Sequence, residues 1–203
     1  MPVNRLPGIR RNLAESFAQP VVSILVRTSI APDALTWSGF FLSMGAAVLI
    51  ITVHPFAAGF AVLVAGFFDI LDGALARRTN RATRFGAVLD STLDRLSEAV
   101  LLLSILVVYT REQSDVGILV VGVALISSSL VSYIRARAEA SSLDCQIGLF
   151  TRAERMIVLV LGLWLSQIDY ALIIALAIIS LFSFVTAGQR LVYVWRQTRI
   201  IAS

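Results

Sequence analysis

The sequence predicts an all-α membrane protein: a six-transmembrane-helix bundle over residues 33–200, preceded by a juxtamembrane amphipathic helix within residues 1–30. The whole chain, 1–203, reads as one domain. Three observations carry this prediction. The first is composition: 58% of residues are hydrophobic and 15% charged, with a mean hydropathy of +0.85. Soluble domains are about half apolar and about a quarter charged, so this balance excludes a disordered chain, a nucleic-acid-coating protein and an ordinary water-soluble globule. The second is a set of uncharged runs: Thr36 to Val53, Val116 to Ile134 and Tyr170 to Gln189, each near the ~20 residues that span a bilayer core. The third is the placement of Arg, which supplies all 17 basic residues.

The first 35 residues do not read as a secretory signal, for they show no continuous apolar core with a small-residue cleavage site. Instead Leu13, Phe17, Val21, Ile24 and Leu25 recur at helical spacing, opposite Asn12, Glu15, Ser16, Gln19, Ser23 and Arg27. Such a stripe lies on a membrane surface, with a bend expected at Pro20. Between the uncharged runs come three spans with charges toward one end. Pro55 to Phe68 precedes Asp69, Asp72 and Arg77. Leu96 to Tyr109 follows Asp90, Asp94 and Arg95 and contains Glu98. Met156 to Ile168 follows Arg152, Glu154 and Arg155.

With the N-terminus inside, nearly every Arg falls on inner segments, from Arg5, Arg10, Arg11 and Arg27 through Arg77, Arg78, Arg81 and Arg84 to Arg190, Arg196 and Arg199. The outer turns keep only Arg111, beside Glu112 and Asp115. This bias predicts a multi-pass protein of the inner (plasma) membrane with both termini cytoplasmic. Trp37, Trp164, Tyr170, Tyr193 and Trp195 fall near span ends, as an aromatic belt does. His54 reads as a solvated turn residue, Cys145 as a loop residue without a His partner, and Ser127 to Ser129 as a close helix contact. One His and one Cys exclude a His/Cys metal site and an intrachain disulfide.

Half of the eight Asp residues fall between positions 69 and 94. Acidic groups in membrane spans are costly and mark functional sites. Asp69, Asp72, Gly73, Ala76 and Arg77 share one helix face at i, i+3, i+4, i+7 and i+8. Gly86, Asp90 and Asp94 share another at i, i+4 and i+8. The two helices form a hairpin, so the four carboxylates converge, with Asp69 and Asp94 both ~12 Å from the connecting loop. Carboxylates this close cannot all ionise without cations, and oxygen ligands suit Mg²⁺ or Mn²⁺. Two such ions are a standard device for displacement at phosphorus, with Arg77 placed to meet phosphate oxygens. The bland alternative is helix caps and surface ion pairs. The functional alternative is a proton or cation relay in a transporter, though relays scatter their acids over several helices.

The spacing Asp-x2-Asp-Gly-x2-Ala-Arg-x8-Gly-x3-Asp-x3-Asp resembles the signature of the CDP-alcohol phosphatidyltransferases. Asp69, Asp72, Gly73, Ala76, Arg77, Gly86, Asp90 and Asp94 meet every fixed position. The resemblance implies transfer of a phosphatidyl group from CDP-diacylglycerol to an alcohol, with release of CMP. It implies two Mg²⁺ or Mn²⁺ ions held by Asp69, Asp72, Asp90 and Asp94, and Asp94 as the catalytic base. It places Asp33, Ala34, Leu35, Thr36, Gly73, Ala76, Arg77 and Thr83 around the CDP-lipid, and suggests a homodimer among membrane lipids.

Arg135, Arg155 and Arg190 could converge beside this site and hold a phosphorylated acceptor, since a dianion rewards clustered Arg. The bland reading of each is topology and lipid headgroup contact. The segment from Ser132 to Arg155 looks like that of enzymes that use inositol phosphate. It departs from them at Arg135, where they have Lys, and at Thr151-Arg-Ala-Glu-Arg155, where they have Glu-Arg-Pro-Glu-Arg. Glycerol 3-phosphate is the alternative acceptor.

Overall fold

The computed structural model describes residues 19–28, 30–145 and 147–201, and all regular structure among them is helical. A short helix, α1, covers residues 19–25. It is followed by α2 (Pro32–Ile51), α3 (Pro55–Arg78), α4 (Arg84–Arg111), α5 (Asp115–Ala140), α6 (Arg152–Trp164) and α7 (Ala171–Ile201). The start of the expected amphipathic helix, with Leu13 and Phe17, lies outside the described residues. Within α1 the packed face differs from the expected one. Val22 is buried against Leu35, Leu71 and Leu75, whereas Val21 and Ile24 are exposed.

Helix starts follow signals in the sequence. Pro32 and Pro55 open α2 and α3, where a missing N–H costs nothing and φ is preset. Thr83 and Ser114 cap α4 and α5, accepting from the N–H of Gly86 at 2.9 Å and of Gly117 at 3.3 Å. At the start of α6 the Thr151 N–H donates to Glu154 Oε2 at 2.7 Å, half of a capping box. Thr151 stands where the resembled enzymes have Glu, and this cap is the use the fold makes of it.

Helix ends use a device the sequence conceals. Val53, Asn80, Gln113 and Ser142 take φ values between 53° and 63°, the left-handed cap position usually given to Gly; Tyr170, at φ 62°, instead stands just before the start of α7. The turn closes with bonds such as His54 N to Leu49 O at 2.8 Å and Ser114 N to Tyr109 O at 3.0 Å.

Four helices, α2, α3, α5 and α7, are long and apolar enough to cross a membrane. The other two expected spans differ from them for separate reasons. α4 has 28 residues but carries Asp90, Asp94, Arg95 and Glu98. α6 has only 13 residues and stops at Trp164, although the apolar run continues to Ile168; a turn over residues 165–170 ends it. α5 in turn runs further than its uncharged stretch. Residues 135–140, past the end of that stretch, are helical, because Arg, Ala and Glu favour helix and Arg135 pairs with Glu139 one turn on, at 2.8 Å.

α2 packs on α3 and α4, α5 on α7 and α4, and α6 fits between α3 and α7. The main core lies toward the end marked by the turns at 52–54, 112–114 and 165–170. There Ile50, Val62, Leu102, Ile105, Val121, Leu159, Leu163 and Leu176 are buried together. Close crossing of α2 and α3 depends on Gly39, where a Cβ would stand 3.3 Å from Ala65 O and from Phe68 Cβ. Outward-facing Phe41, Val48, Leu119, Ile126 and Leu181 leave the bundle a largely apolar surface, as lipid contact requires. The opposite end of the bundle holds the acidic residues.

Candidate active site

α3 and α4 follow one another across the 79–83 turn as expected, but they pack on α2 rather than on each other; their acidic faces meet across the gap and bring three of the four aspartates together. Asp69, Asp72 and Asp90 each offer an oxygen within 4.8 Å of the others. Asp72 is 5% exposed and is oriented by Thr36, whose hydroxyl donates to Asp72 Oδ2 at 2.6 Å. This bond ties the first turns of α2 to the acidic face of α3. Three clustered carboxyls with this oxygen-only donor set fit a hard divalent cation.

Asp94 is not one of that mutually close trio, but its carboxyl meets the Asp69 carboxyl directly. Arg152 joins the two, pairing with Asp94 Oδ1 at 2.6 Å and also contacting Asp69. Arg152 comes from the first turn of α6, so a third helix closes the site. Its role was not foreseen from the sequence. The available signal was its spacing, since Arg152 lies three residues before Arg155 and shares its face.

The residues expected around a nucleotide fall into three groups. A Cβ on Gly86 would stand 3.0 Å from Thr83 Oγ1 and 3.3 Å from Asp33 Oδ1, so α2 and α4 bring Asp33 and Thr83 together at their starts. Asp33, Ala34, Arg77 and Thr83 are exposed and Ala76 is half-buried. The Arg77 guanidinium lies over Gly73, with Nη1 3.2 Å from where a Cβ would be. Leu35 differs: its side chain belongs to the cluster with Val22, Leu71 and Leu75, so packing explains it. Thr36 reaches the site only through Asp72.

Arg135, Arg155 and Arg190 do share one cavity of about 660 Å³ with Asp90, Asp94 and Arg152. None of the three is a free cation. Arg135 pairs with Glu139. Arg155, 1% exposed, forms a forked pair with Glu98: Nε to Oε1 at 2.5 Å and Nη2 to Oε2 at 2.7 Å. Arg190 donates to two main-chain carbonyls, Ile147 O at 2.8 Å and Val131 O at 2.6 Å, and so fastens the 141–151 connection to α5 and α7. Glu98 was missed as a partner although the sequence marked it, for it extends the Gly86, Asp90, Asp94 stripe by one more turn.

Arg190→Ala should therefore lower stability as well as alter the cavity. Each bond from a charged donor contributes roughly 1.5–3 kcal/mol, so thermal unfolding in detergent should shift down clearly. An unchanged midpoint would show that the two carbonyl bonds carry little.

A second cavity of about 500 Å³ adjoins the first. Val62, Leu63, Phe67, Ile70, Met156 and Ile157 give it apolar walls, and Asp69, Asp94 and Arg152 stand at its polar end. Arg152 and Asp94 border both spaces. Cys145 is fully buried rather than a loop-surface thiol, and burial pushes that thiol's pKa up, away from nucleophilic use.

Residues 29–194 match the family model of the CDP-alcohol phosphatidyltransferases. An archaetidylinositol phosphate synthase of Methanothermobacter thermautotrophicus is 33% identical over 204 residues, covering 96% of this chain and all of the relative. The fold is similar to that of the Mycobacterium tuberculosis phosphatidylinositol phosphate synthase with CDP-DAG bound (TM-score 0.80, 34% identity, 88% of this chain and 93% of that one). A structure of the same enzyme with manganese and citrate matches equally well (TM-score 0.80, 34% identity, 88% of each chain).

Proposed function

The chain belongs to the CDP-alcohol phosphatidyltransferase family, and from that premise we propose that it transfers a phosphatidyl group from CDP-diacylglycerol to inositol phosphate. The observation that carries this reading is the adjacency of two unlike sites. Three carboxylates lie within 4.8 Å of one another, beside an Arg-lined cavity whose wall includes Asp90 and Asp94. One suits a metal-bound pyrophosphate, the other a phosphorylated alcohol.

In this reading Asp69, Asp72 and Asp90 hold divalent metal, with Asp94 at the edge of the set. Two Mg²⁺ or Mn²⁺ ions, when bound, supply charge neutralisation for the pyrophosphate and its leaving oxygen. Asp33, Gly73, Ala76, Arg77 and Thr83 hold the CDP group, and the apolar cavity between α3 and α6 takes the lipid end. Asp94 accepts the proton of the acceptor hydroxyl. That oxygen bonds to the β-phosphorus, the bond from this phosphorus to the oxygen carried by CMP breaks, and CMP departs. Arg152, which pairs with Asp94 and contacts Asp69, adds a cation between the carboxyl cluster and the acceptor cavity. Arg135, Arg155 and Arg190 face the acceptor's own phosphate.

We place the catalytic end of the bundle at the cytoplasmic face of the plasma membrane, with both termini inside and all six helices α2 to α7 embedded. The chain works as a single domain and pairs as a homodimer. The positive-inside distribution of Arg supports the orientation.

The test is an acceptor panel. Purified protein with CDP-diacylglycerol and Mg²⁺ receives inositol 1-phosphate, glycerol 3-phosphate, inositol or serine, and CMP release is measured. Inositol phosphate should be preferred. Preference for glycerol 3-phosphate would reassign the acceptor, and preference for an uncharged alcohol would remove the role of the Arg cavity. Ion flux in liposomes without CDP-lipid consumption would instead identify a transporter.

Thr36 provides a separate check on the carboxylate cluster. Thr36→Val keeps the shape and removes the donor that orients Asp72. Loss of such a partner behind a metal ligand typically costs ~10–100-fold in affinity or activity. Mn²⁺ titration followed by electron paramagnetic resonance should show weakening of that order; parent-like affinity would mean that Asp72 needs no orienting bond.

A further inference from the structure

Glu98 lies one turn beyond Asp94 on α4, inside the apolar half of that helix, with a side chain only 7% exposed. A carboxylate there is costly unless paired. Its partner, Arg155 of α6, uses Nε and Nη2 for the fork and leaves Nη1, which is buried and makes no hydrogen bond. A pair that served only to staple α4 to α6 would leave no reason for a charged N–H to remain buried and unsatisfied, because that omission costs free energy. Both residues line the cavity that also contains Asp94, Arg135 and Arg190.

We propose that Glu98 is a positioning residue for the acceptor: by gripping the Nε–Nη2 edge of the Arg155 guanidinium it fixes the plane of the third nitrogen and offers that nitrogen to an oxygen of the acceptor's phosphate. The proposal rests on the reading of this cavity as the acceptor site and deepens it. Asp94 and Glu98 are four residues apart on one rigid helix, an axial offset of ~6 Å. The group that takes the hydroxyl proton and the group that grips the phosphate therefore keep a fixed separation. The site favours small polyol phosphates whose attacking hydroxyl and phosphate sit close together on one compact framework. Arg is required at 155, since only a planar fork can satisfy a carboxylate with two nitrogens and keep a third in reserve.

The experiment measures CMP release with inositol 1-phosphate varied at saturating CDP-diacylglycerol, and the converse, for the parent, Glu98→Gln, Arg155→Lys and Glu98→Gln/Arg155→Lys. Glu98→Gln should raise the acceptor KM about ten-fold or more, the size of one lost charge-assisted contact, with the CDP-lipid KM within about two-fold of the parent. Arg155→Lys keeps a cation for Glu98 but loses the spare planar donor, and should show a similar rise. The double variant should show no further rise over Arg155→Lys, because Glu98 acts through Arg155. Thermal midpoints, read in parallel, separate this from loss of fold, and Arg155→Lys keeps the test open should Glu98→Gln not fold. Equal changes in both KM values, or additive effects in the double variant, would overturn the positioning role in favour of a plain staple. A parent-like acceptor KM in Arg155→Lys would overturn the cavity reading itself. A normal loss in Arg155→Lys with an unchanged KM in Glu98→Gln would overturn the role of Glu98 alone.

Discussion

Asp69→Asn, Asp72→Asn and Asp90→Asn are each expected to abolish CMP release while the bundle still forms. Asn is nearly isosteric with Asp, so the bundle keeps its packing, but it removes the charge that a divalent ion requires of its ligands. The three side chains act on one another's ion, since their oxygens lie within 4.8 Å. The loss should therefore exceed the ~10–100-fold that follows removal of a partner behind a metal ligand. Mn²⁺ binding, read by electron paramagnetic resonance on the protein without substrate, should fall together with activity. A variant that binds Mn²⁺ as the parent does would take its residue out of the ligand set. Asp69→Asn carries a second effect, because Asp69 also contacts Arg152; its thermal midpoint should move more than that of Asp90→Asn.

Asp94→Asn should lose as much turnover for a different reason. Its carboxyl meets that of Asp69 but is not one of the three mutually close ligands, and it is held by Arg152 at 2.6 Å. General base catalysis contributes typically ~10²–10⁴-fold, and a loss in that range of kcat is expected. Mn²⁺ affinity should stay within about ten-fold of the parent, well above that of Asp90→Asn. If Asp94→Asn loses metal as badly as Asp90→Asn, Asp94 is simply a fourth ligand and the proton must go elsewhere.

The acidic site was legible in the sequence because helix periodicity is strict: three- and four-residue spacings on two adjacent helices leave little freedom in where Asp69, Asp72 and Asp90 point. Thr83, Ser114 and Thr151 announced helix starts through capping chemistry, and Pro32 and Pro55 through their fixed φ. Helix ends were harder. Val53 and Asn80 occupy left-handed positions at φ 63° and 53°, where Gly is the usual marker, and only the tertiary structure enforces them. Long-range pairing was the other blind spot. Arg155 and Glu98 are 57 residues apart, and the separation of charge from hydropathy along the chain says nothing of which cation meets which anion. Arg155 and Arg190 could thus be assigned to the right cavity without their partners, and the pairing of Arg152 with both Asp69 and Asp94 stayed hidden in the same way. The extent of α5 past Ile134 was hidden because charged residues end an apolar run without ending a helix.

α6, at 13 residues, is about 20 Å long, while the hydrocarbon layer around it is about 30 Å thick. Its neighbours α3 and α7 have 24 and 31 residues and match or exceed that layer. In the proposed six-span arrangement the bilayer beside α6 would meet a wall too short for it, and such hydrophobic mismatch is relieved by local thinning, at fractions of a kcal/mol per Å. The thinned strip would run along the side of the bundle where α3 and α6 enclose the apolar cavity, with Arg152 at its polar end. A lipid arriving from within the leaflet would slide sideways into that strip with its phosphates already at the depth of Arg152 and Asp69. Its acyl chains need not leave the hydrocarbon for the reaction to begin.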